Sequence, residues 1–258
     1  MSSAITTPVG RMAALARAEM VLFGRSKGTL VAALFVPLTL PFAMRSAVEE
    51  MDLKDAGLSV GLVMLPAAIG FSLLFAVYSS LVGVFTARRE ELVLKRLRTG
   101  ELRDAEVLAG AALPAVVTGL VQCVLLAVGC TILLDLGAPS APHLAILGLL
   151  LGLAACVSLA ALTASFTRTV ESAQVTTLPM MMITMVASGV IVPLELLPDR
   201  VAAVCELLPL TPVITLVRGG WSGDLSGSET LAALATAVAW TAIGVFAVRR
   251  WFRWEPRR

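Results

Sequence analysis

The chain has 258 residues, of which 58% are hydrophobic and 15% charged, with a formal net charge of +2 and a mean hydropathy of +0.90. A soluble domain carries roughly 45–50% apolar and about 25% charged residues, so this composition excludes an ordinary water-soluble protein. At about 20 residues for each bilayer crossing, several crossings use most of the chain and leave no room for a soluble catalytic domain.

Six uncharged runs meet the length of a membrane span in chain order: 28–44, 56–87, 107–134, 143–167, 172–194 and 230–248. A cleaved signal peptide is the rival reading of the first. Its leader is long, its apolar run exceeds the usual core of about 7–15 residues, and no A-x-A site follows, so a retained helix is expected. The second run exceeds a minimal span and must tilt or carry some ordered loop at its outer end. Cys123 and Cys130 share a side of the third run. The fourth has Gly148 and Gly152 on a small-residue face, and the fifth holds Met180, Met181, Met182 and Met185. The expected fold is therefore an all-α membrane protein of six transmembrane helices in a single domain. No repeat relates the first three runs to the last three, which tells against an inverted-repeat carrier.

With the N-terminus inside, 16 Lys and Arg fall on inner segments and only Arg45, Lys54, Arg200 and Arg218 fall outside. The positive-inside rule then predicts that both termini are cytoplasmic, with a basic tail at 249–258. Trp251 and Trp254 fit an aromatic anchor where the sixth run leaves the membrane.

The six runs carry no Asp, Glu, Lys or Arg away from their ends. Coupled carriers and pumps place an ionisable group near the midplane, so an energy source outside the chain is inferred. Ser72, Gln122, Thr118 and Thr184 can bond between helices but cannot carry a proton at neutral pH. No catalytic residues, metal site or bound cofactor are expected. The lone His143 has no second ligand near it, Cys123 and Cys130 read as packing residues, and no phosphate-binding G-x-x-x-x-G-K-[ST] is present. Cys205, the one outward cysteine, could pair only with another chain.

Two segments between the runs are informative. The inner loop 88–106 contains Arg88-Arg89-Glu90-Glu91-Leu92-Val93-Leu94-Lys95-Arg96-Leu97-Arg98-Thr99-Gly100. Glu91 four residues before Lys95 and Gly100 at the end predict a short helix, with Val93, Leu94 and Leu97 as an apolar edge. It reads either as a solvated positive-inside loop or as a docking helix gripped by a cytoplasmic partner. Between the fifth and sixth runs, residues 195–229 predict an outer amphipathic and re-entrant segment. A short helix begins at Asp199, with Val201, Val204, Cys205 and Leu208 on one face. The stretch 207–217 is too short to cross, and Arg218-Gly219-Gly220-Trp221 returns the chain to water.

The loop from Glu90-Glu91 to Arg98 followed by Leu108-Ala109-Gly110 resembles a known pattern, and so do three outer stretches. These are Gly189-Val190-Ile191-Val192-Pro193-Leu194-Glu195-Leu196-Leu197-Pro198, Leu208-Pro209-Leu210-Thr211-Pro212 and Leu216-Val217-Arg218. Over nearly the whole chain they are similar to the permease subunit of type-2 class ATP-binding-cassette exporters, although the usual glycine after the acidic residues of the inner loop is missing. The resemblance implies a half-transporter in which two permeases, identical or related, pair in the bilayer. Each is served by a separate cytoplasmic ATPase subunit that holds the ATP and Mg. It implies an interfacial helix within residues 1–27 and a coupling helix in the inner loop, with Glu90, Glu91, Leu94, Arg96 and Arg98 docking the ATPase. It also implies that the second and fifth spans line the substrate path at the dimer interface.

On that path Phe71, Phe75, Tyr78, Met181 and Met185 offer aromatic and deformable surfaces, and each can equally be read as core or lipid-facing. The expected function is ATP-driven export, by alternating access, of a hydrophobic or amphipathic compound such as a drug, antibiotic, peptide or lipid. The expected location is the plasma membrane of a bacterium, and antibiotic efflux is one form this export could take. No nucleic acid is implied. The competing readings are an ATP-independent carrier or channel and a non-transporting scaffold.

Overall fold

In the computed structural model, residues 45–50, 59–99, 103–191 and 193–255 are described, together with seven single positions between residues 17 and 43. The expected interfacial helix within 1–27 and first span at 28–44 lie outside this set, apart from those positions. Gly100 and the last three residues of the basic tail lie outside it as well.

Every regular element among the described residues is helical. In chain order these are α1 (Arg45–Glu49), α2 (Val60–Glu90), α3 (Val93–Arg98), α4 (Asp104–Leu133), α5 (Pro142–Phe166), α6 (Val170–Ala187), α7 (Asp199–Cys205), α8 (Thr211–Ser222) and α9 (Gly227–Trp251). A 3₁₀ turn, Leu194–Leu196, joins the region of α6 to α7.

Among the described residues four helices, α2, α4, α5 and α9, are long and apolar enough to cross a membrane. With 31, 30, 25 and 25 residues they run from about 46 Å down to about 37 Å, each more than a hydrocarbon core of about 30 Å. The fifth expected span forms α6, whose 18 residues carry Glu171 in the first turn and include Gln174 and three threonines. It is a helix of about 27 Å that falls short of those four in length and apolarity.

From Val60 onward the second run is one helix, and its first three residues, 56–58, lie outside the described set. Ser59 caps α2, its Oγ accepting from the Leu62 amide at 3.3 Å, and the helix continues at its other end through Arg88 and Arg89 to Glu90. Midway, Leu73–Ser79 is wound as a π-helix. Such wide turns are rare, and this one falls in the helix that forms the centre of the bundle. In the most apolar 18-residue stretch of α2, 78% of residues are buried, against 22–44% for the other three long helices. The core gathers around it: Leu73, Val77, Leu81 and Phe85 are fully enclosed, with Ala160, Val213 and Val217 packed against the same cluster.

Two buried side-chain hydrogen bonds tie α2 to its neighbours. Ser72 Oγ donates to Gln122 Oε1 of α4 at 2.8 Å, and the hydroxyls of Tyr78 and Thr163 of α5 are 3.0 Å apart. In lipid no water competes for these groups, so a bond between spans satisfies polar atoms that would otherwise be costly to bury. Thr118 turns back instead to the Pro114 carbonyl of its own helix.

The outer faces are apolar. Val124, Val128 and Ile132 of α4, Leu150 of α5, and Leu231 and Phe246 of α9 are each half exposed or more. In water a surface of this kind would aggregate, whereas hydrocarbon wets it without cost.

Candidate functional site

Charged residues collect at one end of the bundle. The C-terminal ends of α2, α5 and α9 meet the N-terminal end of α4 there, and α3 lies across them. Arg88, Arg89, Lys95, Arg96, Arg98, Arg103, Arg168, Arg249, Arg250 and Arg253 belong to this basic end.

Arg89 organises it. Although it reads in sequence as one more loop cation, it is 1% exposed and sits in the last turn of α2. Its Nη1 donates to the Ala164 carbonyl at 2.6 Å, and its Nη2 donates to the Thr167 carbonyl at 2.5 Å. These oxygens belong to the final turn of α5, where a helix has acceptors without intrahelical donors and its dipole favours a cation. Arg89 therefore locks the ends of α2 and α5 together.

After Glu90 the chain turns sharply. Leu92 has φ 59°, in the left-handed region that favours glycine, and it follows the acidic pair Glu90-Glu91. α3 begins at once and runs six residues to Arg98. The expected helix is thus split: Glu91 lies in the turn and does not pair with Lys95 along one helix face. Lys95 Nζ instead meets Glu255 Oε1 of the C-terminal tail at 2.7 Å. Arg98 Nε bonds Asp104 Oδ1 at 3.0 Å, and its guanidinium lies 4.8 Å from the Trp254 ring centroid. Trp254 packs edge-on against Phe252, which packs edge-on against Phe85 of the core. The tail is therefore bound to α3 and does not simply trail from α9, although Trp251 stays 54% exposed.

The expected docking residues divide. Glu91, Arg96 and Arg98 are exposed and Glu90 is half-buried, but Leu94 is completely enclosed. Its side chain seats α3 on the bundle and is not on the outer face, because an apolar side chain at the centre of a single helical turn gains more from the core than from water. The exposed apolar residue here is Leu92, at 40%.

The expected substrate-path residues divide as well. Phe71 and Phe75 stack with ring centroids 4.2 Å apart, yet Phe71, Tyr78 and Met181 are buried within this one chain. Only Phe75 and Met185 remain partly exposed. Tyr78 is inside because Thr163 offers it a hydrogen-bond partner, which the local sequence does not reveal.

The opposite end is closed by α8. Arg218-Gly219-Gly220-Trp221 does not return the chain to water: it continues α8, which ends at Gly223 with φ 78°. α8 wedges between α5 and α2. A Cβ on Gly220 would stand 2.8 Å from the Ala145 nitrogen and 3.1 Å from the Ala141 carbonyl oxygen, and the Ala141 amide donates to the Gly220 carbonyl at 2.8 Å. The small-residue face of the fourth run is thus explained, since Gly148 admits Leu216.

α7 is short, Asp199–Cys205, with Val201 and Val204 exposed and Cys205 buried. Trp240 of α9 donates from Nε1 to the Leu207 carbonyl at 2.7 Å and pins this segment. A cavity of about 490 Å³ lies between α7, α8 and α9. Among the described residues no group of His, Cys, Asp and Glu has the makings of a metal site.

The sequence gives no local signal for the burial of Arg89. The Ser226-Gly227-Ser228-Glu229 capping box that starts α9 was available as a pattern. Ser226 Oγ accepts from the Glu229 amide at 3.2 Å, and Glu229 Oε2 accepts from the Ser226 amide at 2.9 Å.

One family model, described as ABC-2 type transporter, matches residues 11–221. A search of curated proteins finds no match.

Proposed function

The chain belongs to the ABC-2 type transporter family, and on that premise we propose that it is the membrane-spanning subunit of an ATP-driven exporter. Membership makes it a transport component of the membrane, with an ATP-binding-cassette ATPase as its partner. In our reading the chain crosses six times, with α6 as the fifth span, and the basic end faces the cytoplasm. A second permease, identical or related, completes the path. The cargo is hydrophobic or amphipathic and moves outward by alternating access, with ATP and Mg held by the ATPase.

The observation that carries this reading is the mounting of α3. It is seated by the buried Leu94 at the end of a helix that Arg89 fixes to α5, while Glu91, Arg96 and Arg98 face outward. A push delivered there by a partner reaches α2 and α5 together, as a rigid-body switch requires. Leu92 replaces Leu94 as the apolar contact for the ATPase. On the path, Phe75 and Met185 keep their assignment, while Phe71, Tyr78 and Met181 support them from behind.

The experiment is co-expression with the ATPase, followed by co-purification and transport. Reversing Glu91→Lys together with Arg96→Glu leaves the permease folded, since both side chains are exposed, and abolishes both readouts. Undiminished co-purification and transport in that variant would overturn the docking assignment. ATP hydrolysis by the purified permease alone would overturn the half-transporter reading.

A further inference from the structure

A second cavity, of about 740 Å³, opens at the basic end between α4 and α9, with α5 as its floor. Ala154, Val157 and Phe85 lie at its base, and Ala109, Val116 and Val245 form its walls. Ala109, Ala154 and Val245 are exposed, so the groove is open on its side to whatever surrounds the bundle. It exists because alanine stands where α4 and α5 would otherwise fill the space. From Asp104 to Val116 it follows α4 for about 18 Å, close to the depth of one leaflet, about 15 Å.

Its mouth is polar. Arg103, at the start of α4, and Arg249, in the last turn of α9, line it with Asp104 and Trp254. The carboxylate of Asp104 is bonded to Arg98 at 3.0 Å, which leaves the mouth net positive. An apolar trough one leaflet deep, ending in two guanidiniums and an indole at headgroup level, matches a single class of membrane component.

We propose that this groove is a binding site for an anionic phospholipid, with an acyl chain along α5 and the phosphate at Arg103 and Arg249. A choline headgroup brings its own cation to the arginines and is disfavoured, so charge as well as fit selects the occupant. The site adjoins α3 through Asp104 and Trp254, the partners of Arg98, shares no lining with Phe75 and Met185, and does not depend on the nature of the cargo.

The test uses the full chain in nanodiscs of phosphatidylcholine with a minority of phosphatidylglycerol, with native mass spectrometry of the lipid retained. Retention of phosphatidylglycerol over phosphatidylcholine is expected. Arg103→Gln with Arg249→Gln should weaken it about thirty-fold, at the strength typical of two interfacial cations. Arg250→Gln, outside the groove, should leave it unchanged, and Ala154→Phe should reduce retention of both lipids by filling the floor. Equal retention of the two lipids by the unaltered protein would overturn the proposal. So would undiminished phosphatidylglycerol retention in the double variant, including the case in which a second copy of the chain covers the groove and the oligomeric state shifts instead.

Discussion

The two ends of the bundle are held by different physics. At the basic end the fixings are side chains: Arg89 on the carbonyls that finish α5, Lys95 on Glu255, and Arg98 on Asp104 and beside Trp254. At the opposite end the fixing is mainly close approach at glycines, with Gly220 on Ala141 and Ala145 and with Gly148 beneath Leu216, supplemented by the Trp240 bond to the Leu207 carbonyl. Side-chain fixings can be exchanged or released one at a time, whereas close-packed backbone cannot yield to even one added methyl without a shift. The proposed docking of an ATPase would fall at the first kind of end.

Removing the buried side-chain fixing of the basic end is the most severe way to break this contrast. Arg89→Met deprives the last turn of α5 of charged donors and should cost about 4 kcal/mol, seen as a large drop in the unfolding midpoint in detergent. A midpoint close to that of the unaltered protein would mean that Arg89 is not the fixing.

The next largest effect is at the other end, where Gly220→Ala should cost about 2 kcal/mol because the new methyl meets backbone atoms. Gly83→Ala, with nothing within 4 Å of the added carbon, should cost nothing measurable in the same assay. Equal effects at the two glycines would erase the distinction between the ends.

The smallest changes should come from the exposed tail contacts. Trp254→Ala should cost about 1 kcal/mol and Lys95→Ala about 0.5 kcal/mol, both side chains of the Lys95–Glu255 pair being more than half exposed. A loss at Lys95 as large as that at Arg89 would show that the tail is structural and not exchangeable.

What could be read in the sequence follows from the range of the forces involved. The long apolar runs are local, so α2, α4, α5 and α9 were legible, as was the small-residue face at Gly148 and Gly152, since a stripe of glycine on a span has little use except close approach. Gly219-Gly220 misled because a glycine pair is normally a break, and only the distant Ala145 turns it into a packing surface. The same holds for Lys95, whose obvious local partner Glu91 lost to Glu255, and for Leu94, whose place on a charged loop gave no hint that the core would claim it. Arg89 was counted for its charge when its importance lies in the carbonyls of α5.

The π-wound stretch Leu73–Ser79 has a consequence for any experiment that maps α2 residue by residue. Each residue accommodated beyond the α-helical register turns the remainder of a helix by about 100°. A single helical wheel drawn from Val60 to Glu90 therefore assigns one half of α2 to the wrong neighbours. Cysteine accessibility along the helix should trace two stripes out of phase, meeting between Leu73 and Ser79, so the faces on either side of that stretch must be plotted as though they belonged to separate helices.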